Sequence, residues 1–475
     1  MRALGLAALL AAGACASGKP YVRPAAPDAP PAFKENADWQ TARPADVTVR
    51  GAWWQIFQDP QLDALEARID DSNQSLKIQQ ARFQRARAAV AIANAGRYPQ
   101  VTTSPAISGG EQSGNRTNAA AHERTSDLIL PVDVSYEVDV WSRVRQTVEA
   151  ARFTAQASAA DVETVRLSLH AELALDYFDL RGLDAERALL DDTVAAFTRA
   201  LELTRNRFAG GIASQADVAL AETQLEETRA QAVDNTARRS ALEHAIADLV
   251  GTAPAALHLA STPLTAPPPE IPGGLPSQLL ERRPDIAAAE RRVAAANALV
   301  GIARTAFFPR LLLTAAAGFE SRSLTSWLTG LSAFWAAGPA AAATIFDAGR
   351  RRAVSAQAQA AYDESVADYR ETILRSLQEV EDNLAALRVL REEADVQAAA
   401  VAAATRSLTL AENRYRGGVT SYLEVITAQN ATLANQRTGV SILSRRLEAS
   451  VLLIKALGGG WDASTLPTVK TGTGR

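Results

Sequence analysis

Side chains able to do chemistry are few in this 475-residue chain, and they are scattered. The four histidines, His122, His170, His244 and His258, have no ligand spacing between them. Cys15 is the only cysteine, so a zinc-type site has no second thiolate to draw on. Gly458-Gly459-Gly460 follows a helical pattern, not a strand, and reads as a helix end, not a phosphate loop. No nucleophile stands with a base and an orienting acid, and most carboxylates fall on solvated helix faces. The expectation is therefore a protein that is not an enzyme and holds no metal or cofactor. Two acids stand out: Ser214-x-x-Asp217 and Ser421-x-x-Glu424, each directly after a Gly-Gly pair. One chemistry for that spacing is a capping box, in which the acid reaches back to a free backbone N–H. The other is a cluster of carboxylates at a turn, whose mutual repulsion favours cation binding or protonation.

The two acids occupy equivalent places in an internal two-fold repeat. Asn206-Arg207-Phe208, Gly210-Gly211-Ile212 and Ser214 recur 207 positions later as Asn413-Arg414-Tyr415, Gly417-Gly418-Val419 and Ser421. A second set lies 210 apart, including Arg82 with Arg292, Tyr98 with Phe308 and Pro99 with Pro309. Two fused copies of one long unit point to an elongated or pseudo-symmetric object, not a single-pocket enzyme.

Composition fits that shape. Aromatic residues are only 6% while alanine is abundant, which suits long, closely packed helices. A net charge of −4 and the lack of a basic stripe argue against a nucleic-acid partner. Residues 1–14 read as a signal peptide: Met1-Arg2 is a short positive start, and Ala3–Ala14 is a run of 12 Ala, Leu and Gly residues, too short for the ~20 needed to span a bilayer. Ala12-Gly13-Ala14-Cys15 then resembles the cleavage site of a bacterial lipoprotein, the alternative being a plain signal peptide with an incidental cysteine. That resemblance implies a diacylglycerol and an N-acyl lipid, such as palmitate, on Cys15, and Ala16 after it implies sorting to the outer membrane. Loss of residues 1–14 removes Arg2 and takes the charge to −5. Without later runs of ~20 apolar residues, any membrane crossing must be made by strands.

Residues 15–58 form a Pro-rich extended arm, pinned by Trp53, Trp54 and Phe57. The first repeat, 59–251, opens with Asp59-Pro60 as helix cap and first helical residue, and its helix is expected to run to about Arg97. Val132, Val134, Tyr136, Val138 and Val140 alternate with Asp133, Ser135, Glu137 and Asp139, giving one oily and one polar face. With Val101–Ile107 they form a hairpin around the loop Gly109–Ser126, each strand long enough for a tilted membrane crossing. A half-buried hairpin of a soluble domain has the same pattern. The second hairpin is placed at 310–346 through the repeat, with Phe319, Trp327, Phe334 and Trp335 as interface aromatics, although Pro339 sits poorly in a strand. Arg143–Phe208 and Arg350–Tyr415 are helix formers throughout, each long enough for a rod of roughly 100 Å. Return helices start at Ser214 and Ser421 and end near Gly251 and Gly458. Residues 252–284, with eight prolines, are a connector to the second repeat, 285–460, and 461–475 is a tail.

Helix, hairpin, long helix, Gly-Gly turn and helix, given twice, resemble the TolC-like outer-membrane factors, and most closely the lipoprotein (NodT-type) branch serving resistance-nodulation-division efflux pumps. The carrying motifs are Cys15 with Tyr21 and Pro24; Trp53-Trp54-x-x-Phe57-x-Asp59-Pro60-x-Leu62; Glu281-Arg282-Arg283-Pro284-Asp285-Ile286; Ala303-Arg304-x-Ala306-Phe307-Phe308-Pro309; Tyr415-x-Gly417-Gly418; and Ala456-Leu457-Gly458-Gly459-Gly460-Trp461. The resemblance implies a mainly α protein with membrane β: a homotrimer enclosing a long α-helical barrel and a 12-stranded β-barrel. Four strands per chain cannot close alone, and an open edge cannot face lipid. It further implies an outer-membrane exit channel, working with a periplasmic adaptor and an inner-membrane pump. Asp217, Leu423, Glu424 and Thr427 would form the periplasmic gate, with Thr427 departing from the acid common in the family. Arg207, Gly210, Gly211, Arg414, Gly417 and Gly418 would be the adaptor-facing tips, though positive φ at a tight turn would itself explain the glycines. Asp133, Glu137 and Asp139 would line the barrel lumen, or a solvent-facing strand. The alternatives are a type I secretion duct and a non-pore periplasmic coiled-coil spacer or adaptor.

Overall fold

The structure is a computed structural model that describes residues 20–28, 30, 32–36, 51–111, 113, 124–264, 267–269, 271 and 282–466. The expected signal segment, Cys15, His122 and the end of the tail lie outside those residues.

Helix α1 (Pro60–Ser72) starts where Asp59 accepts hydrogen bonds from the Gln61 and Leu62 amides, with Pro60 supplying a preset φ. The expected single helix to Arg97 is interrupted at Asn73. Its backbone is extended, and its side chain caps Leu76 N–H to open α2 (Gln74–Ala95). Helix α3 (Arg143–Ala209) and helix α6 (Arg350–Arg416) each run 67 residues, roughly 100 Å. They pass through the turns into α4 (Gln215–Leu249) and α7 (Tyr422–Ala456), each of 35 residues. Helix α5 (Pro284–Thr305) matches α2 at 22 residues.

Toward one end α3 packs on α2 and α5, and toward the other on α4 and α7; α6 packs on α5 and α7. Four helices therefore run side by side at either level. Small residues set their spacing: Ala155, Ala157, Ala159 and Ala160 of α3 and Ala287, Ala288, Ala294 and Ala295 of α5 are buried. A Cβ on Gly301 would overlap the Gln146 side chain, and one on Gly182 would overlap Ser444. The main core lies at mid-height, where Leu62, Ile69, Leu173, Tyr177, Leu180, Ile286, Leu384 and Leu453 close over Trp53 and Phe57.

Two polar clamps hold this waist. Arg283 makes two bonds to the Asp285 carboxylate and also reaches Glu379 at 2.7 Å and the Ala456 carbonyl at 2.9 Å, joining the start of α5, the middle of α6 and the end of α7. Asp184 is buried and accepts from Arg181, Arg239, Ser261 and the Thr262 amide, fastening the connector to α3 and α4.

The strands are β1 (Gln100–Thr103), β2 (Ala106–Glu111), β3 (Arg124–Glu137), β4 (Arg310–Ser321) and β5 (Ala333–Ala342). β1 and β2 pair successively with β3, so they act as one strand broken at Ser104-Pro105, and the order is β1/β2, β3, β4, β5, all antiparallel. Both hairpins expected from sequence are strands, with shifted limits. β2 reaches Glu111 and β3 begins at Arg124, inside the expected loop, and β3 ends at Glu137 instead of Val140. Pro339 lies within β5, an edge strand of this sheet, where a missing N–H is tolerated.

Candidate functional site

Register assigns every strand residue to a face, because directly paired antiparallel residues share one. On one face lie Val101, Ile107, Leu128, Leu130, Val132, Val134, Tyr136, Leu313, Ala315, Ala317, Phe319 and Trp335. Several are bare: Trp335 is 80% exposed, Ile107 72% and Val101 64%. On the other face lie Thr102, Ser108, Asp127, Asp133, Ser135, Glu137, Thr314 and Glu320, with Ile129, Leu312, Phe334 and small residues between them. Such a sheet suits hydrocarbon on one side and water on the other. Among the described residues no helix is long and apolar enough to cross a membrane. Of the aromatics read as interfacial, Phe319 and Trp335 share the apolar face, Phe334 lies on the opposite one, and Trp327 folds back to bond the Phe319 carbonyl.

The three acids read as lumenal separate in role. Asp133 is on the polar face between Thr102 and Ala316, without an ion-pair partner among the described residues. Glu137 is tied to Arg143 by two bonds of 2.7 and 2.6 Å. Asp139 lies beyond β3 and caps α3, accepting from the Val144 and Arg145 amides at 2.9 Å each. The strand-to-helix corner consumes these two charges. Asp127 and Glu320 share the face of Asp133 and were missed, because no alternation surrounds them in sequence.

At the opposite end, the turns joining α3 to α4 and α6 to α7 have the same backbone. Gly211 and Gly418 both take φ +72°, whereas Gly210 and Gly417 stay at −80° and −77°. Only the second glycine of each pair is required by the turn. The two serine–acid motifs diverge. Ser214 and Asp217 form a complete capping box, with Ser214 N–H donating to Asp217 at 2.9 Å and Asp217 N–H to Ser214 Oγ at 3.1 Å. Ser421 makes no side-chain cap. Glu424 instead pairs with Arg414 at 3.3 Å, tying the start of α7 to the end of α6. Leu423 is 58% exposed and Thr427 beside it is exposed, its hydroxyl donating to the Leu423 carbonyl one turn back.

Arg207, in the turn of the first half, stacks its guanidinium 4.6 Å over the Tyr415 ring and reaches the Arg416 carbonyl. Tyr415 packs on Tyr422, with Leu201, Leu225 and Val425 beneath. Burial, with Tyr415 and nearby acids, pushes the Tyr422 phenol up to about 12. This aromatic clasp between the two turns was not read from sequence; the Arg-aromatic pair Arg207-Phe208 and its repeat equivalent Arg414-Tyr415 were the available signal.

His170 shares a proton with buried Glu66 at 2.6 Å under the Trp54 ring, and burial favours the uncharged form of each. His244 and His258 lie apart from it, and among the described residues no group of three or more His, Cys, Asp or Glu could hold a metal.

Comparison with known proteins fits this layout. The outer membrane efflux protein family matches residues 64–252 and 275–459. Outer membrane protein OprJ of Pseudomonas aeruginosa is 34% identical over 473 residues, 97% of this chain and 96% of that protein. Toluene efflux pump outer membrane protein TtgF of Pseudomonas putida is 33% identical over 424 residues, 89% of this chain and 88% of the relative. The outer-membrane channel OprN superposes with TM-score 0.87 at 28% identity, covering 94% of this chain and all (100%) of that one. The Campylobacter jejuni CmeC channel shares the fold at TM-score 0.88 and 24% identity, over 94% of this chain and 96% of its own. With an amphipathic sheet at one end of a long helical bundle and a match over most of its length, this chain belongs to the outer membrane efflux protein family.

Proposed function

We propose that three copies of this chain form a lipid-anchored outer-membrane duct, the passive exit channel of a tripartite efflux pump for small molecules such as drugs. Its four-strand sheets close into a 12-stranded barrel above a helical tunnel. The observation that carries this reading is the sheet itself: one face is apolar and bare, and both edges, β1/β2 and β5, are unpaired among the described residues. The bare apolar face is unfavourable in water, and in lipid the open edges have no partner for their backbone groups until neighbouring copies pair with them.

The duct does no bond chemistry, and energy comes from an inner-membrane pump joined through a periplasmic adaptor. The adaptor meets the turns at Arg207, Gly210, Gly211, Arg414, Gly417 and Gly418. Their close approach to Tyr415 and Tyr422 makes adaptor docking a route to loosening α4 and α7. Asp217, Leu423, Glu424 and Thr427 form the mouth of the tunnel, where Glu424 acts first as a latch to Arg414. Asp133, joined by Asp127 and Glu320, makes the barrel lumen acidic.

The arm supports anchoring through Cys15. Tyr21 donates to Glu290 and Arg23 to the Tyr369 hydroxyl, while the Lys34 and Glu35 amides donate to Glu381. The arm thus descends along α5 and α6 from the sheet end. Cys15 precedes Pro20 by five residues, a reach of at most about 17 Å, which suffices for a lipid beside the base of the barrel.

Extraction and reconstitution test the reading. A trimer released only by detergent, giving stepwise conductance in a planar bilayer, is expected. A monomer soluble in plain buffer and inert in a bilayer would leave the periplasmic spacer as the better account.

A further inference from the structure

The chain contains the template for its own joint with a neighbour. β1 pairs with β3 and β4 with β5 in matching registers: Gln100 faces Ser135, and Arg310 faces Ala342. β4 is therefore the counterpart of β1/β2, 210 positions on, and β5 the counterpart of β3, 207 positions on. Within one chain, β3 meets β4 with Asp133 opposite Ala316. We propose that β5 of one copy meets β1/β2 of the next in this same register, so that Ala340 faces Ala106, and that this joint is the weakest seam of the barrel. The inference rests on the trimeric reading above.

The sheet faces agree with it. The register places Pro339 opposite Ile107 and Ala341 opposite Pro105. Ile107 is 72% exposed and shares the apolar face with Pro339, so that face continues across the joint. A slip of one residue would turn this apolar set toward the polar side.

The weakness follows from two prolines. Val138 N–H donates to the Leu311 carbonyl at 2.9 Å, so the β3–β4 rows Val132–Ala317 and Val134–Ala315, an even number of residues away, are also hydrogen-bonded rows. Their counterparts at the joint are Pro339–Ile107 and Ala341–Pro105. Proline has no N–H, so each of these adjacent rows loses a donor that the β3–β4 seam retains. Pro131 does not impose the same loss on the β3–β4 seam, because its row with Gly318 is of the non-hydrogen-bonded kind.

Paired cysteines read the register directly. Ala106 and Ala340 of one chain are separated by β3 and β4, about 14 Å at three strand spacings. A disulfide needs Cα atoms within about 7 Å, so only a bond between copies can form. In membranes oxidised before a non-reducing gel, the double variant Ala340→Cys/Ala106→Cys should give covalent trimer. It should exceed the slipped pairs Ala340→Cys/Ser104→Cys and Ala340→Cys/Ser108→Cys by about fivefold or more. Each single-cysteine variant controls for Cys15. Preference for a slipped pair would overturn the register and leave the trimer standing. No covalent product from a protein that runs as a trimer in detergent would overturn the β5–β1/β2 joint. A monomer in detergent would overturn the trimeric reading and this one with it. Pro339→Ala should shift the dissociation temperature of the trimer upward; an unchanged temperature would remove the weak-seam part.

Discussion

Glu424 tests whether the proposed tunnel mouth is held by a latch or shaped by a ring of acids. Its carboxylate lies 3.3 Å from Arg414, with the two side chains 49% and 56% exposed. An exposed pair of this kind is worth roughly 0.5 kcal/mol. In a trimer three such latches open together, so losing all of them costs the closed state about 1.5 kcal/mol, roughly a tenfold change in the closed-to-open ratio. Glu424→Arg should exceed that, because attraction becomes repulsion. Exchange of the charges, Arg414→Glu with Glu424→Arg, restores the pair in reverse. In planar bilayers at low salt, open probability should rise about tenfold or more for Glu424→Arg and return near the parent level in the exchanged variant. The difference should shrink at 1 M salt, where screening is nearly complete over a few ångströms. If the exchanged variant conducts as freely as Glu424→Arg alone, the latch argument fails and the acid acts through the field it sets in the pore. If Glu424→Arg leaves conductance unchanged, Glu424 has no part in closure.

Other outcomes follow from the same geometry. Burial pushes the Asp184 carboxyl up, but bonds from Arg239, the Thr262 amide, Ser261 and Arg181 outweigh it and leave it below the usual carboxylate range. Its stabilisation is therefore present above the unfolded value of about 3.9 and lost as pH falls through the lower folded value. Asp184→Asn should cost about 3 kcal/mol near neutrality, since it leaves buried arginines uncompensated, and the gap to the parent in denaturation experiments should close below about pH 4. Gly211→Ala and Gly418→Ala, at φ +72°, should each destabilise by about 1 kcal/mol, while Gly210→Ala at −80° should be nearly neutral in the same thermal melts. Cys15→Ser should abolish incorporation of labelled palmitate yet leave detergent-extractable trimer, because in the proposed barrel the strands hold the membrane without the lipid.

Much of the architecture was legible because it rests on local rules. The two long helices contain no proline, and Asp59-Pro60 and Ser214-x-x-Asp217 carry their caps in sequence. The break at Asn73 was not, since Asn is compatible with a helix interior until its side chain is seen to cap Leu76. Likewise the strand limits moved. Arg124, Thr125 and Ser126 read as loop residues by composition, and cross-strand bonding to Glu111, Gly110 and Gly109 makes them strand.

The sites divide along the same line. The repeat alone marked Asp217 and Glu424 as equivalents, and alternation alone marked Asp133. The tertiary structure made the first two different: Asp217 is spent on its own helix terminus, while Glu424 bridges to Arg414 across the turn. It also pairs Glu137 with Arg143 and Asp139 with the start of α3, and places Asp127 and Glu320 on the face of Asp133. Periodicity and capping act between near neighbours and are written in the chain. Which charge finds which partner depends on distances between segments hundreds of residues apart, and only the packed bundle and sheet decide those.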